Sequence, residues 1–422
     1  MTIANDTVWA IVALSILGVI ARPWKLPEAI WAVTGAIMMV VCGLLPWSDA
    51  LKAVGKGTDV YLFLTGMMLL AELARNEGLF DFLAGQAARL AGGSAMKLFA
   101  LVYGVGTVVT IFMSNDATAV VLTPAVFAAT KAAKVKDPLP YLLICAFIAN
   151  AASFVLPISN PANLIIFRDH MPPLLQWLAR FALPSLLSIA VTYAVLRFTQ
   201  RASLRQEVMA AEVDVTGLPS GGRMTACGIV GTGIVLLLVS GFDVELGLPT
   251  FVAAVATASV VLFLKRESPW TVMKEISWEI LPLVAGLFVL VEALDRSGVL
   301  KALIHVLQIA ADRSAMVTTW VAGVTLALIC NLFNNLPAGL LAGSVVSASH
   351  VPRQVASAVL IGVDLGPNLS VTGSLATILW LSALRRENQQ VSAWTFLKLG
   401  TLVMPPALLL AIAGLLVTGS VR

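Results

Sequence analysis

The chain is expected to fold as an all-α polytopic membrane protein, with about ten transmembrane helices and two re-entrant hairpins in two inverted repeats. Three observations predict this. The first is composition: of 422 residues, 59% are hydrophobic and only 12% charged, with a mean hydropathy of +0.92. A soluble protein carries about 25% charged residues. The missing charge is accounted for by apolar runs of about 20 residues, the length that crosses a bilayer. The strands of a β-barrel would be shorter and would alternate. The second observation is duplication: residues 58–126 recur at 278–346 with a constant offset of 220, which carries Gly66 to Gly286, Glu72 to Glu292, Gly78 to Gly298 and Asn115 to Asn335. The third is that each copy breaks its apolar run with polar residues, as FMSNDATAVVLTP (112–124) and LFNNLPAGLLAGS (332–344). A duplicated membrane chain with interrupted spans is the signature of a secondary transporter.

The elements follow in order. In the first repeat, 1–197, three spans lie near 5–21, 27–46 and 57–76, followed by an amphipathic segment near 79–93. A hairpin near 97–131 dips in and returns at its polar tip. A span near 139–168 is broken by Pro157 and Pro161, and a span near 174–197 closes the half. Residues 198–223, the only long polar stretch, read as a cytoplasmic linker. The second repeat, 224–422, has spans near 224–241, 247–264 and 277–296, then an amphipathic piece near 299–312 and a hairpin near 315–349. A span near 352–384, broken at Gly366, Pro367 and Gly373, and a final span near 392–418 complete it. The breaks arise because proline and glycine remove or misdirect backbone hydrogen bonds in mid-membrane. A purely helical reading, in which each hairpin spans twice, stays open.

Five spans per half is an odd number, so the second copy must lie upside down. With both termini outside, 18 of the 27 Lys and Arg residues fall on the inner side, including the clusters at 131–136, 197–205 and 385–386. That bias fits the positive-inside rule. The net charge of +4 then reflects cytoplasmic loops, and no basic stripe suggests nucleic acid. Cys42, Cys145, Cys227 and Cys330 stand alone in apolar stretches, and His170, His305 and His350 are far apart. Neither metal nor cofactor is expected. The N-terminus lacks the basic region of a cleavable signal. No G-x-x-x-x-G-K-[ST] loop occurs, so the expectation is a transporter and not an ATP-hydrolysing enzyme.

Polar residues in hydrocarbon cost several kcal/mol unless partnered, so those in mid-span mark the candidate site. Ser114, Asn115 and Asp116 form one hairpin tip and Asn334 and Asn335 the other. Such a tip can cap the returning helix and present its positive end to a solute, or it can simply make the turn. The broken spans FIANAASFVLPISNPANLIIF (147–167) and LIGVDLGPNLSVTGSLATILW (360–380) align at an offset of 214, pairing Asn150 with Asp364, Asn160 with Ser374 and Asn163 with Thr377. Asn368 lies in the same break, and Asn150, Thr118 and Thr372 are secondary candidates. Asp116 and Asp364 are candidates for proton coupling, because an acid in a partly dry site can load and release protons. A permanent ion pair or a sodium ligand is the alternative. Glu72 and Glu292 sit near span ends and read as reaching interfacial water, and Arg180 reads as a snorkelling anchor.

At these residues the chain resembles the arsenical pump membrane protein family, arsenite/antimonite efflux antiporters of the ion transporter superfamily. The likeness is carried by FMSNDATAVVLTP, FIANAASFVLPISNPAN (147–163), NLFNNLPAGLLAG (331–343) and, most specifically, IGVDLGPNLSVTGSLATILWL (361–381). The resemblance implies efflux of arsenite and antimonite across a bacterial inner membrane, driven by inward proton flow, sometimes alongside a soluble arsenite-stimulated ATPase subunit. It also implies an elevator fold, in which the first three spans of each half form a scaffold and the hairpins and broken spans move. On that analogy Asn115 and Asp116 face Asn160 and Asn163, while Asn335 faces Asp364, Ser374 and Thr377. The chain departs from the family at Asn150, where relatives can carry aspartate, and at Val363, where some carry cysteine. Two other functions stay open at this stage: a sodium-coupled carboxylate or anion symporter, and a sodium–proton antiporter.

Overall fold

In hydrocarbon every backbone N–H and C=O must be satisfied within the protein, which leaves helices as the natural outcome for such apolar runs. The computed structural model describes residues 3–167, 171–215, 217–242 and 244–420, and all regular structure among them is helical. His170 lies outside the described residues. Among the described residues six helices are long and apolar enough to cross a membrane: Ala95–Met113, Leu174–Thr199, Ser220–Val239, Gly247–Lys265, Ala315–Phe333 and Ala393–Gly419. Asn5–Ala21, Glu28–Val41 and Leu139–Ala151 are shorter apolar helices. Helix Thr58–Asn76 is preceded by Trp47–Gly55, and the two are bent by 47°. This short helix, which the apolar pattern alone does not announce, starts after Pro46 and buries only Ala50 and Ala53.

Four helices cross reciprocally. Thr58–Asn76 packs on Gly247–Lys265, and Ile280–Arg296 packs on Glu28–Val41. Glycine permits each crossing. A Cβ on Gly66 would lie 3.0 Å from the backbone of Phe251, and one on Gly286 would lie 2.7 Å from the backbone of Ala32. Small residues are what allow membrane helices to approach this closely. The 220-residue offset exchanges the two contacts almost residue for residue.

Charged side chains tie off the ends of these helices. Lys56 donates to Glu292 at 2.7 Å and Arg296 to Asp49 at 2.5 Å. At the other end Arg75 pairs with Glu72 and Glu275, and Lys265 pairs with Glu77 at 2.8 Å. Glu72 and Glu292 are therefore held by cations of the fold. Residues 198–223, expected as a linker, carry helix Arg201–Gln206 and dock on the first half. Leu204, Met209 and Val213 are buried, the Ala210 N–H donates to the Ala133 carbonyl at 2.8 Å, and Glu207 accepts from the N–H groups of Lys136 and Asp137.

The hairpins and broken helices pack together against these crossings. Ala315–Phe333 lies along Arg353–Leu365, Ala95–Met113 lies along Leu139–Ala151, and Leu174–Thr199 lies along the final helix. The whole of Leu139–Ala151 from Pro140 onward is buried, an all-round apolar helix in the centre of the molecule.

Candidate functional site

Both hairpins turn on a residue forced into the left-handed half of backbone space. Ser114 has φ 106° and ψ 161°, and Asn334, 220 residues on, has φ 67° and ψ 153°. Such angles are costly for any residue but glycine, and they persist only where the surroundings impose them. The two side chains then cap the returning limbs. Ser114 Oγ accepts from the Ala117 N–H at 3.5 Å, and Asn334 Oδ1 accepts from the Leu336 N–H at 3.3 Å. In the first hairpin the return runs through a π-helical turn, Thr118–Leu122, before Thr123–Ala132. Wide turns of this kind concentrate at functional sites. Here the Thr118 hydroxyl meets that of Thr110 at 2.9 Å. In the second hairpin the return is a continuous helix, Asn335–Ser349.

Each broken span re-forms a helix after its break. Asn160 caps Pro161–Ile166 by accepting from the Ala162 N–H at 3.0 Å. Ser374 caps Leu375–Arg386 by accepting from the Thr377 N–H at 3.1 Å, with the two hydroxyls 2.9 Å apart.

Hydrogen bonds cross between the two breaks. Asn160 Nδ2 donates to Asp364 Oδ1 at 2.7 Å. Asn150 Nδ2 donates to Asn368 Oδ1, and Asn368 Nδ2 donates to the Phe147 carbonyl, both at 3.0 Å. Asn163 Nδ2 donates to the carbonyls of Ser153 and Leu156. Asn150, Asn163, Asp364, Asn368 and Ser374 are fully buried, and Asp116 is half-buried.

Asn150, Asn160, Asn163 and Asn368 thus spend donors on the protein, and among the described residues four buried acceptors in this region have no hydrogen-bond partner. They are Oδ1 of Asn115, Oδ1 of Asn150, Oδ1 of Asn163 and Oδ2 of Asp364. Buried polar atoms without partners are rare, and they cost about 1–3 kcal/mol each. No Lys or Arg occurs within 110–123, 147–166, 327–340 or 357–380. Arg180, expected as an anchor, reaches Ser357 Oγ at 3.5 Å, about two helical turns from Asp364.

The hairpins and breaks meet in a crossed arrangement. The turn Asn115–Ala117 packs against Leu375–Arg386 of the second half and against Leu139–Ala151. Helix Asn335–Ser349 packs against Pro161–Ile166 of the first half and against Arg353–Leu365. Among the described residues, no side-chain hydrogen bond joins Asn115 or Asp116 to Asn160 or Asn163, or Asn335 to Asp364, Ser374 or Thr377. Thr372 donates instead to the carbonyl of Asn331 at 3.0 Å.

That asparagine organises the second break and is absent from the expected set. Asn331 Nδ2 donates to the carbonyls of Ala327 and Gly366 at 2.7 and 3.0 Å, and Asn331 Oδ1 accepts from Ser370 at 2.6 Å. Ser159, also outside the expected set, donates to the Ile111 carbonyl at 2.8 Å and so ties the first break to the first hairpin. The signal for Asn331 was its place one turn ahead of Asn334 in the motif NLFNN.

Comparison with known proteins gives the chain a family. Residues 11–383 match the family described as citrate transporter. The arsenical pump membrane protein of Yersinia enterocolitica is 28% identical over 83% of this chain and 84% of its own length. That of Escherichia coli K12 is 27% identical over 96% of this chain and 97% of its own. A putative arsenical pump membrane protein of Bacillus subtilis is 25% identical over 91% and 93%. Among solved structures, the YdaH transporter of Alcanivorax borkumensis covers 89% of this chain with a TM-score of 0.55 at 15% identity, a likeness of fold alone. The chain is thus a multi-pass membrane transporter belonging to the arsenical pump/citrate transporter family.

Proposed function

We propose that the protein exports trivalent arsenite and antimonite from the bacterial cytoplasm across the inner membrane in exchange for protons, by an elevator movement. The observation that carries the substrate class is the set of four unpartnered buried acceptors in a region without lysine or arginine. Acceptors need donors. Trihydroxyarsenic is neutral and offers three O–H groups, whereas a citrate-like anion would set its own acceptors against them. Asp364 and Asp116 would carry the protons, one enclosed against Asn160 and the other half-open at the hairpin tip.

The reciprocal crossings at Gly66 and Gly286 and the matched tips at Ser114 and Asn334 support two inverted repeats, 1–197 and 224–422, with both termini outside. The crossing helices would then be the scaffold, and the hairpins with the broken spans the moving part. A carboxylate substrate is the second reading. It is favoured by the description of the matching family and by Arg180 beside Ser357.

The two separate in intact bacteria. Production of the chain should lower arsenite accumulation several-fold and leave citrate uptake unchanged. Citrate transport with unaltered arsenite levels would replace the first reading by the second.

A further inference from the structure

The two amphipathic helices that the repeat pairs are covered very differently. Leu79–Ala91 buries Leu79, Phe80, Ala84, Ala87, Ala88 and Ala91, while Val299–Arg313 buries only Leu300 and Ala311. The first packs its buried face on the first hairpin, helices Ala95–Met113 and Thr123–Ala132, and Val215 of the chain between the halves sits against its Gly85. Among the described residues no such segment lies on the second. Beside it runs an apolar groove of about 980 Å³, at the upper end of the range for ligand pockets.

One wall of the groove is formed by helices Ile3–Ala21 and Ile280–Arg296, the other by Val299–Arg313 and the second hairpin. Val306, Val317 and Val321 line it and are 65%, 55% and 58% exposed. At the base of the hairpin, where helix Ala315–Phe333 begins, the lining turns polar with Arg313 and Ser314. Arg313 forms no ion pair among the described residues. A long apolar slot inside the membrane with a single cation at one end has the amphipathic pattern of a phospholipid. Guanidinium also matches phosphate in charge and in bidentate geometry.

We propose that this groove binds an anionic glycerophospholipid, with acyl chain against Val306, Val317 and Val321 and headgroup phosphate on Arg313. The site rests on the membrane placement of these helices and does not depend on which solute is transported.

The test uses the full chain, purified and delipidated in detergent, then titrated with palmitoyl-oleoyl phosphatidylglycerol or phosphatidylcholine and read by native mass spectrometry. One phosphatidylglycerol should bind with roughly tenfold preference over phosphatidylcholine, whose choline cation neutralises the headgroup and repels Arg313. Val321→Trp, at an exposed position that fills the groove, should remove the bound lipid. Leu264→Trp, equally exposed on a helix outside the groove, should retain it. Arg313→Gln should keep acyl binding and abolish the headgroup preference. Undiminished lipid on Val321→Trp would overturn the proposal. So would an unchanged preference in Arg313→Gln, or a dimer that excludes lipid from the groove.

Discussion

Asp364 and Asn160 define the site at the level of single residues. The bond from Asn160 Nδ2 to Asp364 Oδ1 joins the two broken spans and leaves Oδ2 unpartnered. Asp364→Asn keeps the size and can still accept from Asn160, so the chain should insert and melt as the parent does while proton-driven transport is lost. Asp116→Asn should do the same from its half-open position, and full pH-dependent transport in both variants would place coupling elsewhere. Asn331→Ala differs in kind, because it removes one of the two donors to the Gly366 carbonyl and the amide oxygen that accepts from Ser370 at once. A hydrogen bond of this kind contributes about 0.5–1.5 kcal/mol, so this variant should lower the thermal midpoint in detergent. Asp116, Asp364 and Asn160 were legible because polar residues in an apolar run announce themselves. Asn331 gave the same polar signal in NLFNN, but its hold on Gly366 and Ser370 depends on Ala315–Phe333 lying along Arg353–Leu365, a pairing that no local pattern contains.

Among the elements, the tips and crossings repeat most faithfully. Ser114 and Asn334 both adopt positive φ, and Gly66 and Gly286 both admit a neighbouring backbone. The crossings make a graded prediction. A methyl at Gly286 would meet Ala32 atoms at 2.7 to 3.0 Å, whereas one at Gly66 meets Phe251 and Thr250 at 3.0 Å. Overpacking a close contact costs about 1–3 kcal/mol. Gly286→Ala should therefore lower the thermal midpoint more than Gly66→Ala, and equal loss would mean that the two crossings yield alike. The long helices could be placed from hydropathy, and the breaks from proline and glycine. Helix Trp47–Gly55 and the π-helical turn Thr118–Leu122 could not: the first is too short and mixed in character, and the second differs from an α-helix by a single residue per turn.

The whole molecule is a duplicated chain whose halves enclose an unequal centre. Asp116 stands where the second copy has Leu336, and Asn150 aligns with Asp364, so each half keeps one carboxylate at a different point of its motif. The halves also differ outside the site, where Leu79–Ala91 buries six residues and its counterpart Val299–Arg313 buries two. The duplication and its offset were visible in the sequence. The docking of the 198–223 stretch was not, because its burial rests on isolated apolar residues, Leu204, Met209 and Val213, in a polar context. An unequal centre with two carboxylates and unpartnered amide oxygens would suit exchange of protons for a neutral hydroxyl-bearing solute. Everted membrane vesicles given an inside-acid pH gradient test this most directly. Arsenite should accumulate inside, the accumulation should collapse when a protonophore is added, and it should be indifferent to sodium. Arsenite uptake that persists without the proton gradient, or that requires sodium, would contradict it.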